Sequence, residues 1–254
     1  MNGFIDYNTA RLHYQILGND SAPTLVLLHG GLGSSQDFAA ILPTLIPLFR
    51  IVAIDSRGQG QSTLGTIPLT YAQMADDVAK ILGLLNIQHY SVLGFSDGGI
   101  VAYRLATSSN NIEKVITIGA HWHIDNLTTI RPMYEAIDEA TVRQHMAEQC
   151  DHYLNTNPDA NLRRLIDSLK TLWLDGSNTG YPNANIQRIQ TPVLAIRGEH
   201  DFLLSNPDLM ALAACTPDTH CMNVPFAAHE VLKEQPEIVL PAILFFLQTF
   251  RQQA

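Results

Sequence analysis

Five times along this chain a short apolar run ends in a glycine-containing or charged turn: "TLVLLHGG", "RIVAIDSRGQG", "YSVLGFSDGG", "KVITIGAHW" and "TPVLAIRGEHD". The runs are continuous in Val, Ile, Leu and Ala and do not alternate with polar residues. A strand of that kind is buried on both faces, as inside a parallel sheet. Helical patterns lie between the runs. In "YAQMADDVAKILGLL", Met74, Val78, Ile81, Leu82 and Leu85 share one helix face. Strand alternating with helix predicts an α/β chain, a mostly parallel sheet with helices on both faces. In such sheets chemistry sits beyond the carboxyl ends of the strands, and each turn quoted above lies at that edge. A weaker alternation, "HYQIL", bounded by Gly18, reads as an earlier strand.

The alternation stops over residues 123–190. Here "ATVRQHMAEQCDHYLNT" and "ANLRRLIDSLKTLWLD" read as helices, the second starting after "NPD", which is helix-start chemistry. The segment is expected to be a helical cap inserted into a core made of 1–122 and 191–254, set over the strand ends as a lid. The tail "IVLPAILFFLQTF" falls short of the roughly 20 residues that span a bilayer, and predicts a packed final helix.

The third run carries the sharpest signal. Gly94-Phe95-Ser96-Asp97-Gly98 stands between an apolar strand and the helical pattern "GGIVAYRLA". A sharp strand-to-helix turn of this type lifts the central serine above the sheet, with small residues on both sides of a crowded backbone. A serine hydroxyl needs a base to become a nucleophile. Of the ten histidines, His229 in "VPFAAHEVL" lies between the last strand-like run, "HCMNV", and the last helix, at the correct edge. The base needs an acid to hold its tautomer. Asp201 follows the run "VLAIRGEHD"; Glu199 is the rival, and the turn after Gly198 carries Asp201 further toward the site. The order Ser96, Asp201, His229 suits a triad on this kind of sheet. "HGG" at the end of the first buried run lets backbone N–H groups approach a developing oxyanion. The expected donors are Asp97 and Gly31 or Leu32. Phe38, just after that loop, and His121 and Trp122 in "GAHWH" are candidate substrate contacts, with Asp97.

Taken together, "HGG", "DSRGQGQS", "GFSDGG", "GEHD" and "AAHE" resemble the α/β-hydrolase superfamily over nearly the whole chain. The resemblance implies an eight-stranded, mostly parallel sheet, a helical cap inserted after the sixth strand, and a Ser-His-Asp triad that needs no cofactor. Haloalkane dehalogenases and epoxide hydrolases carry aspartate where Ser96 stands. Proline iminopeptidases carry a tryptophan-glycine pair where this chain has Asp97-Gly98. The expected activity is hydrolysis of a small carboxylic ester through an acyl-enzyme. Thioester, lactone and carbon–carbon bond cleavage stay open, as does a hydrolase-fold small-molecule receptor with slow turnover. For the carbon–carbon reading, Arg57, Arg104, Arg131 and Arg197 are the available cations. The elbow "GFSDGG" is similar to the "GWSDGG" of valacyclovir hydrolase, the biphenyl-hydrolase-like protein. There the aspartate after the nucleophile is implicated in holding an α-amino group. The same role for Asp97 would select esters with a cationic group near the carbonyl. An aspartate in a first helical turn is also stabilised by the backbone dipole without any ligand.

Bulk properties narrow the partners. The 254 residues are 46% hydrophobic and 15% charged, enough for a large core. The net charge of -9 and the absence of any Lys/Arg-dense stretch argue against nucleic acid. His121 and His123 have H-x-H spacing but no further ligand cluster, so no metal is expected. Cys150, Cys215 and Cys221 form no CxxC pattern, and "MNGFIDYNTARLHYQ" has neither a basic start nor an apolar h-region. Reduced thiols and a cytoplasmic location, with no membrane partner, are the expectation. Oligomeric state is not legible.

Overall fold

The computed structural model describes residues 1–249. Each of the five apolar runs forms a strand. Two earlier strands, β1 (Asn2–Tyr7) and β2 (Ala10–Leu17), precede β3 (Thr24–Leu28), the short α1 (Leu42–Leu45) and β4 (Arg50–Ile54). Then come α2 (Tyr71–Leu84), β5 (Tyr90–Phe95), α3 (Asp97–Ser108) and β6 (Ile112–Ile118). The eight strands form one sheet in the order β1-β2-β4-β3-β5-β6, followed by β7 (Val193–Gly198) and β8 (Thr219–Val224). Only the β1–β2 and β2–β4 pairings are antiparallel. β1 was not anticipated: it is an edge strand whose residues alternate between exposed and half-buried, so it carries no apolar run.

Register brings the chemistry-bearing turns together. Leu28 pairs with Ile54 on one side and Gly94 on the other, and Ile118 pairs with Phe95 and Ile196. The turns after β3, β4, β5, β6 and β7 therefore emerge side by side along one edge. Successive residues of a strand face opposite sides. In β3, Leu25 and Leu27 pack with Phe38, Ile41 and Leu45 below the sheet, and Val26 and Leu28 pack with Met74, Ile81 and Ile100 above it.

Between β6 and β7 the chain is helical: α4 (Arg131–Ala136), α5 (Glu139–His145), α6 (Ala147–Thr156) and α7 (Leu162–Trp173). The single helix expected over 140–156 is broken at Met146, whose backbone (φ -134°, ψ 44°) is not helical. The start of α7 also differs from expectation. Its cap is Asn161, which accepts from the Arg164 N–H at 3.0 Å. Asn157 instead donates to the carbonyls of Gly60 and Ser62, both at 2.8 Å, and so ties the segment to the turn after β4. The segment has no core of its own. Tyr134, Val142, Leu165, Leu169, Leu172 and Trp173 belong to the same apolar cluster as Val26, Met74 and Ile100.

After β7 follow α8 (Asn206–Cys215), α9 (Val231–Glu234) and α10 (Pro236–Thr249). α10 buries Val239, Ile243, Phe246 and Leu247 below the sheet, as the tail predicted; Phe250, the end of that stretch, lies outside the described residues. Among the described residues no helix is long and apolar enough to cross a membrane.

Asp55, at the end of β4, joins three parts of this edge. Its carboxylate accepts from the N–H groups of Ser35 and Gln61, both at 2.9 Å, and lies 2.7 Å from His13 Nδ1. Burial opposes its ionisation, but the bond to His13, the nearby His29 and the two N–H donors outweigh it and bring its pKa down from 3.8 to about 2. The unfolded chain takes up a proton near the ordinary value and the folded chain only near the lowered one. Asp55 therefore contributes stability, about 2 kcal/mol, that is complete above the ordinary value and lost as pH falls toward 2. Urea midpoints measured across this acid range should fall steeply for the wild type and less steeply for Asp55→Asn. Parallel slopes would remove Asp55 as the cause.

Candidate active site

Ser96 sits at the junction of β5 and α3 with φ 51° and ψ -118°, a conformation outside the common L-residue regions. Tight packing enforces it. A Cβ on Gly94 would lie 2.2 Å from the Gly98 carbonyl oxygen, and one on Gly98 would lie 2.0 Å from that of Leu28. The Ser96 N–H is bonded to the Ile118 carbonyl at 2.8 Å, which fixes the elbow to the end of β6. The serine is half-buried, accessible from above the sheet.

His229 lies in the turn between β8 and α9. Its Nδ1 faces both carboxylate oxygens of Asp201 at 3.1 Å, so Nδ1 carries the proton and Nε2 is left free to accept one. The ring packs 5.0 Å from that of Phe95, next to Ser96. Among the described residues no hydrogen bond joins Ser96 Oγ to His229, a distance that commonly closes only when substrate binds. Burial disfavours ionisation of Asp201. The hydrogen bond and charge of His229, with the N–H groups of Leu203 and Leu204, outweigh it and hold the carboxyl below its ordinary value. Glu199, the rival acid, points away: its carboxylate accepts from the Phe226 N–H at 3.0 Å.

Arg197, which the sequence offered only as a loose cation, holds the acid's turn. Its buried guanidinium donates to the carbonyls of Leu204 (2.8 Å), Glu199 (3.2 Å) and Asp201 (3.1 Å), and to Asn223 Oδ1 (2.8 Å). The other three cations are also engaged. Arg57 is paired with Asp77 at 2.6 Å, Arg104 donates to the carbonyls of Gly180 and Asn178, and Arg131 lies at the surface 3.7 Å from Glu135.

The loop after β3 is set by His29. Its Nε2 accepts from the Ser56 N–H at 2.8 Å, so its Nδ1–H donates to the Gly30 carbonyl at 2.7 Å. Leu32 takes a positive φ of 59°. Among the described residues the N–H groups of Gly31, Leu32 and Asp97 donate to no protein acceptor. The N–H of Asp97 opens helix α3, where the backbone dipole favours negative charge.

The Asp97 side chain is fully enclosed. Tyr71 OH donates to Oδ1 at 2.7 Å, and Trp173 Nε1 lies 3.0 and 2.9 Å from Oδ1 and Oδ2. Burial pushes its pKa up, against these two donors. No ion pair reaches it among the described residues. Neither Tyr71 nor Trp173 was singled out from the sequence, since nothing in their local patterns distinguishes them from core aromatics.

The other expected substrate contacts lie elsewhere. Phe38 is wholly buried in the cluster below the sheet, because the short helical turn over Ser35–Phe38 directs it into the core. His121 and Trp122 buttress the loop and helix beside the site. The His121 Nε2–H donates to the Leu203 carbonyl and the Trp122 indole N–H to that of Asp208, both at 2.9 Å. The chain turns at Gly119, with a φ of 60°, two residues before His121. Among the described residues no cluster of His, Cys, Asp and Glu could hold a metal.

Comparisons with known proteins agree with this architecture. The family described as the alpha/beta hydrolase fold matches residues 23–140. RutD of Agrobacterium fabrum (strain C58 / ATCC 33970), a proposed carbamate hydrolase, is 25% identical over 265 residues, covering 93% of this chain and 98% of its own. The sn-1-specific diacylglycerol lipase ABHD11 of Danio rerio is 26% identical, covering 90% and 79%. The enol-lactonase from Burkholderia xenovorans LB400 superimposes with a TM-score of 0.77 over 96% of this chain and 99% of its own, at 22% identity. At that identity the superposition speaks for the fold alone. With its eight-stranded sheet, its serine at the β5–α3 turn and the match over residues 23–140, the chain has the α/β-hydrolase fold.

Proposed function

We propose that this protein is a serine hydrolase that cleaves a small-molecule carboxylic ester through an acyl-enzyme. The observation that carries the reading is the meeting at one sheet edge of Ser96, held above the sheet, with the His229–Asp201 pair beside it. Ser96 Oγ attacks the ester carbonyl while His229 Nε2 takes its proton. The negative oxygen is held by the N–H groups of Asp97 and of Gly31 or Leu32. His229 then gives the proton to the departing alcohol. Water, deprotonated by the same nitrogen, frees the acid and regenerates Ser96. Asp201 stays ionised and orients the ring. The helical segment 123–190 acts as a lid that shapes the pocket and excludes water.

A narrower reading follows from Asp97. An ionised carboxylate next to the oxyanion donors would oppose the developing charge, and no protein cation neutralises it among the described residues. A substrate amine near the scissile carbonyl would. The carbon–carbon bond reading has less support, since the four arginines it would draw on are paired or bound to carbonyls, or lie at the surface.

The test is a panel of short p-nitrophenyl esters beside matched α-amino esters. A burst of about one equivalent of p-nitrophenol per chain, followed by slower turnover, is expected of an acyl-enzyme. A preference for the amino esters that disappears in Asp97→Asn supports the amine reading; equal treatment of both classes removes it and leaves the ester reading standing. If no ester is cleaved, the ester reading falls and a hydrolase-fold receptor becomes the better account.

A further inference from the structure

Helix α7 buries Leu162, Leu165, Ile166, Leu169 and Leu172 above the sheet and ends at Trp173. The indole N–H points at both oxygens of Asp97. The ring also lies against the loop after β3: a Cβ on Gly31 would come within 2.9 Å of its Cζ2. Tyr134 stacks on it at 5.1 Å with planes 25° apart, and the Tyr181 hydroxyl donates to the Trp173 carbonyl at 2.8 Å. One side chain thus bonds to the Asp97 carboxylate and lies beside Gly31, two of the residues whose N–H groups are unpartnered. The Asp97 carboxylate and the Tyr134 ring hold the indole, Tyr181 holds its backbone carbonyl, and the residue is 9% exposed.

The two sides of an ester are distinguished by these contacts. The alcohol oxygen must reach His229 to take its proton, so the alcohol lies toward His229 and the exposed Phe202, whose rings are 6.2 Å apart. The acyl group then extends the other way, toward Gly31 and Trp173.

We propose that Trp173 sets the length limit on the acyl group, and that longer chains enter only by breaking its hydrogen bond to Asp97. The proposal rests on the ester-hydrolase reading. A rigid ring in contact with backbone cannot be compressed. Swinging it aside strips the carboxylate of Asp97, a residue only 4% exposed, of a donor, which is unfavourable.

The experiment is kcat/KM for p-nitrophenyl acetate, butyrate, hexanoate and octanoate with wild type, Trp173→Ala and Trp173→Phe. The octanoate-to-acetate ratio should rise about tenfold or more in Trp173→Ala. Trp173→Phe keeps a ring in place without the N–H, and its ratio should lie between the other two. Circular dichroism and the urea midpoint establish that each variant is folded, and Trp173→Leu replaces the alanine variant if that one is not. An unchanged ratio in the folded Ala or Leu variant overturns the proposal while the hydrolase reading stands. A wild type that cleaves none of the four esters overturns this proposal, and the ester reading falls with it when the α-amino esters are not cleaved either.

Discussion

Ser96→Ala should lower kcat/KM for p-nitrophenyl acetate by about four to six orders of magnitude, the range expected when a triad nucleophile is removed. The loss comes from the chemical step alone. Alanine keeps the Cβ and inherits the same unusual backbone (φ 51°), so the elbow is neither relieved nor further strained. No hydrogen bond of the Ser96 side chain holds the fold among the described residues. The variant should therefore unfold at the wild-type urea midpoint, and residual hydrolysis should reflect only binding and the backbone donors. Activity within tenfold of wild type would mean that another group attacks the ester.

Gly98→Ala should have the largest effect on stability, about 3 kcal/mol or more. The added Cβ would stand 2.0 Å from the Leu28 carbonyl oxygen and 2.7 Å from that of His29. Both are backbone atoms, Leu28 at the end of a central strand paired on either side and His29 directly after it, so neither can rotate away as a side chain would. The clash is relieved only by lifting α3 off β3. That motion separates the Asp97 N–H from the N–H groups of Gly31 and Leu32, so any folded fraction should also be a poor catalyst. Chemical denaturation and activity per folded molecule measure the two effects. A wild-type midpoint would show that the sheet edge yields more easily than its packing implies.

The parts of the site that were legible beforehand share one property. The β3, β4, β5, β6 and β7 runs are buried on both faces, and burial of that kind leaves an uninterrupted apolar signature. Ser96 and Asp201 each follow such a run or its turn, so their position along the chain already indicates the sheet edge; His229 follows β8, whose residues are mostly exposed or half-buried, and its place before the last helices is what indicates the edge. β1 escaped because an exposed edge strand has no such signature. The helix break at Met146 and the cap at Asn161 escaped because neighbouring residues offered equally good local chemistry: Asn157 could cap a helix, but its amide is drawn off by Gly60 and Ser62.

Side-chain partnerships across long separations were of a different kind. Asp97 reads locally as either a helix-start acid or an amine ligand, and the sequence cannot choose between them. The choice turns on Tyr71 and Trp173, 26 and 76 residues away, and on how α7 lies over the sheet. Phe38 reads as a pocket residue by its place after "HGG", yet one short turn buries it in the core. Arg197 reads as a free cation until its four acceptors are seen around it. The sequence by itself determined the sheet, the turn at Ser96 and the placing of Ser96, Asp201 and His229 along one sheet edge, because backbone pattern and chain position carry that information. Only the tertiary structure decided what surrounds Asp97, because that depends on which faces of distant elements come together when they bury their apolar sides.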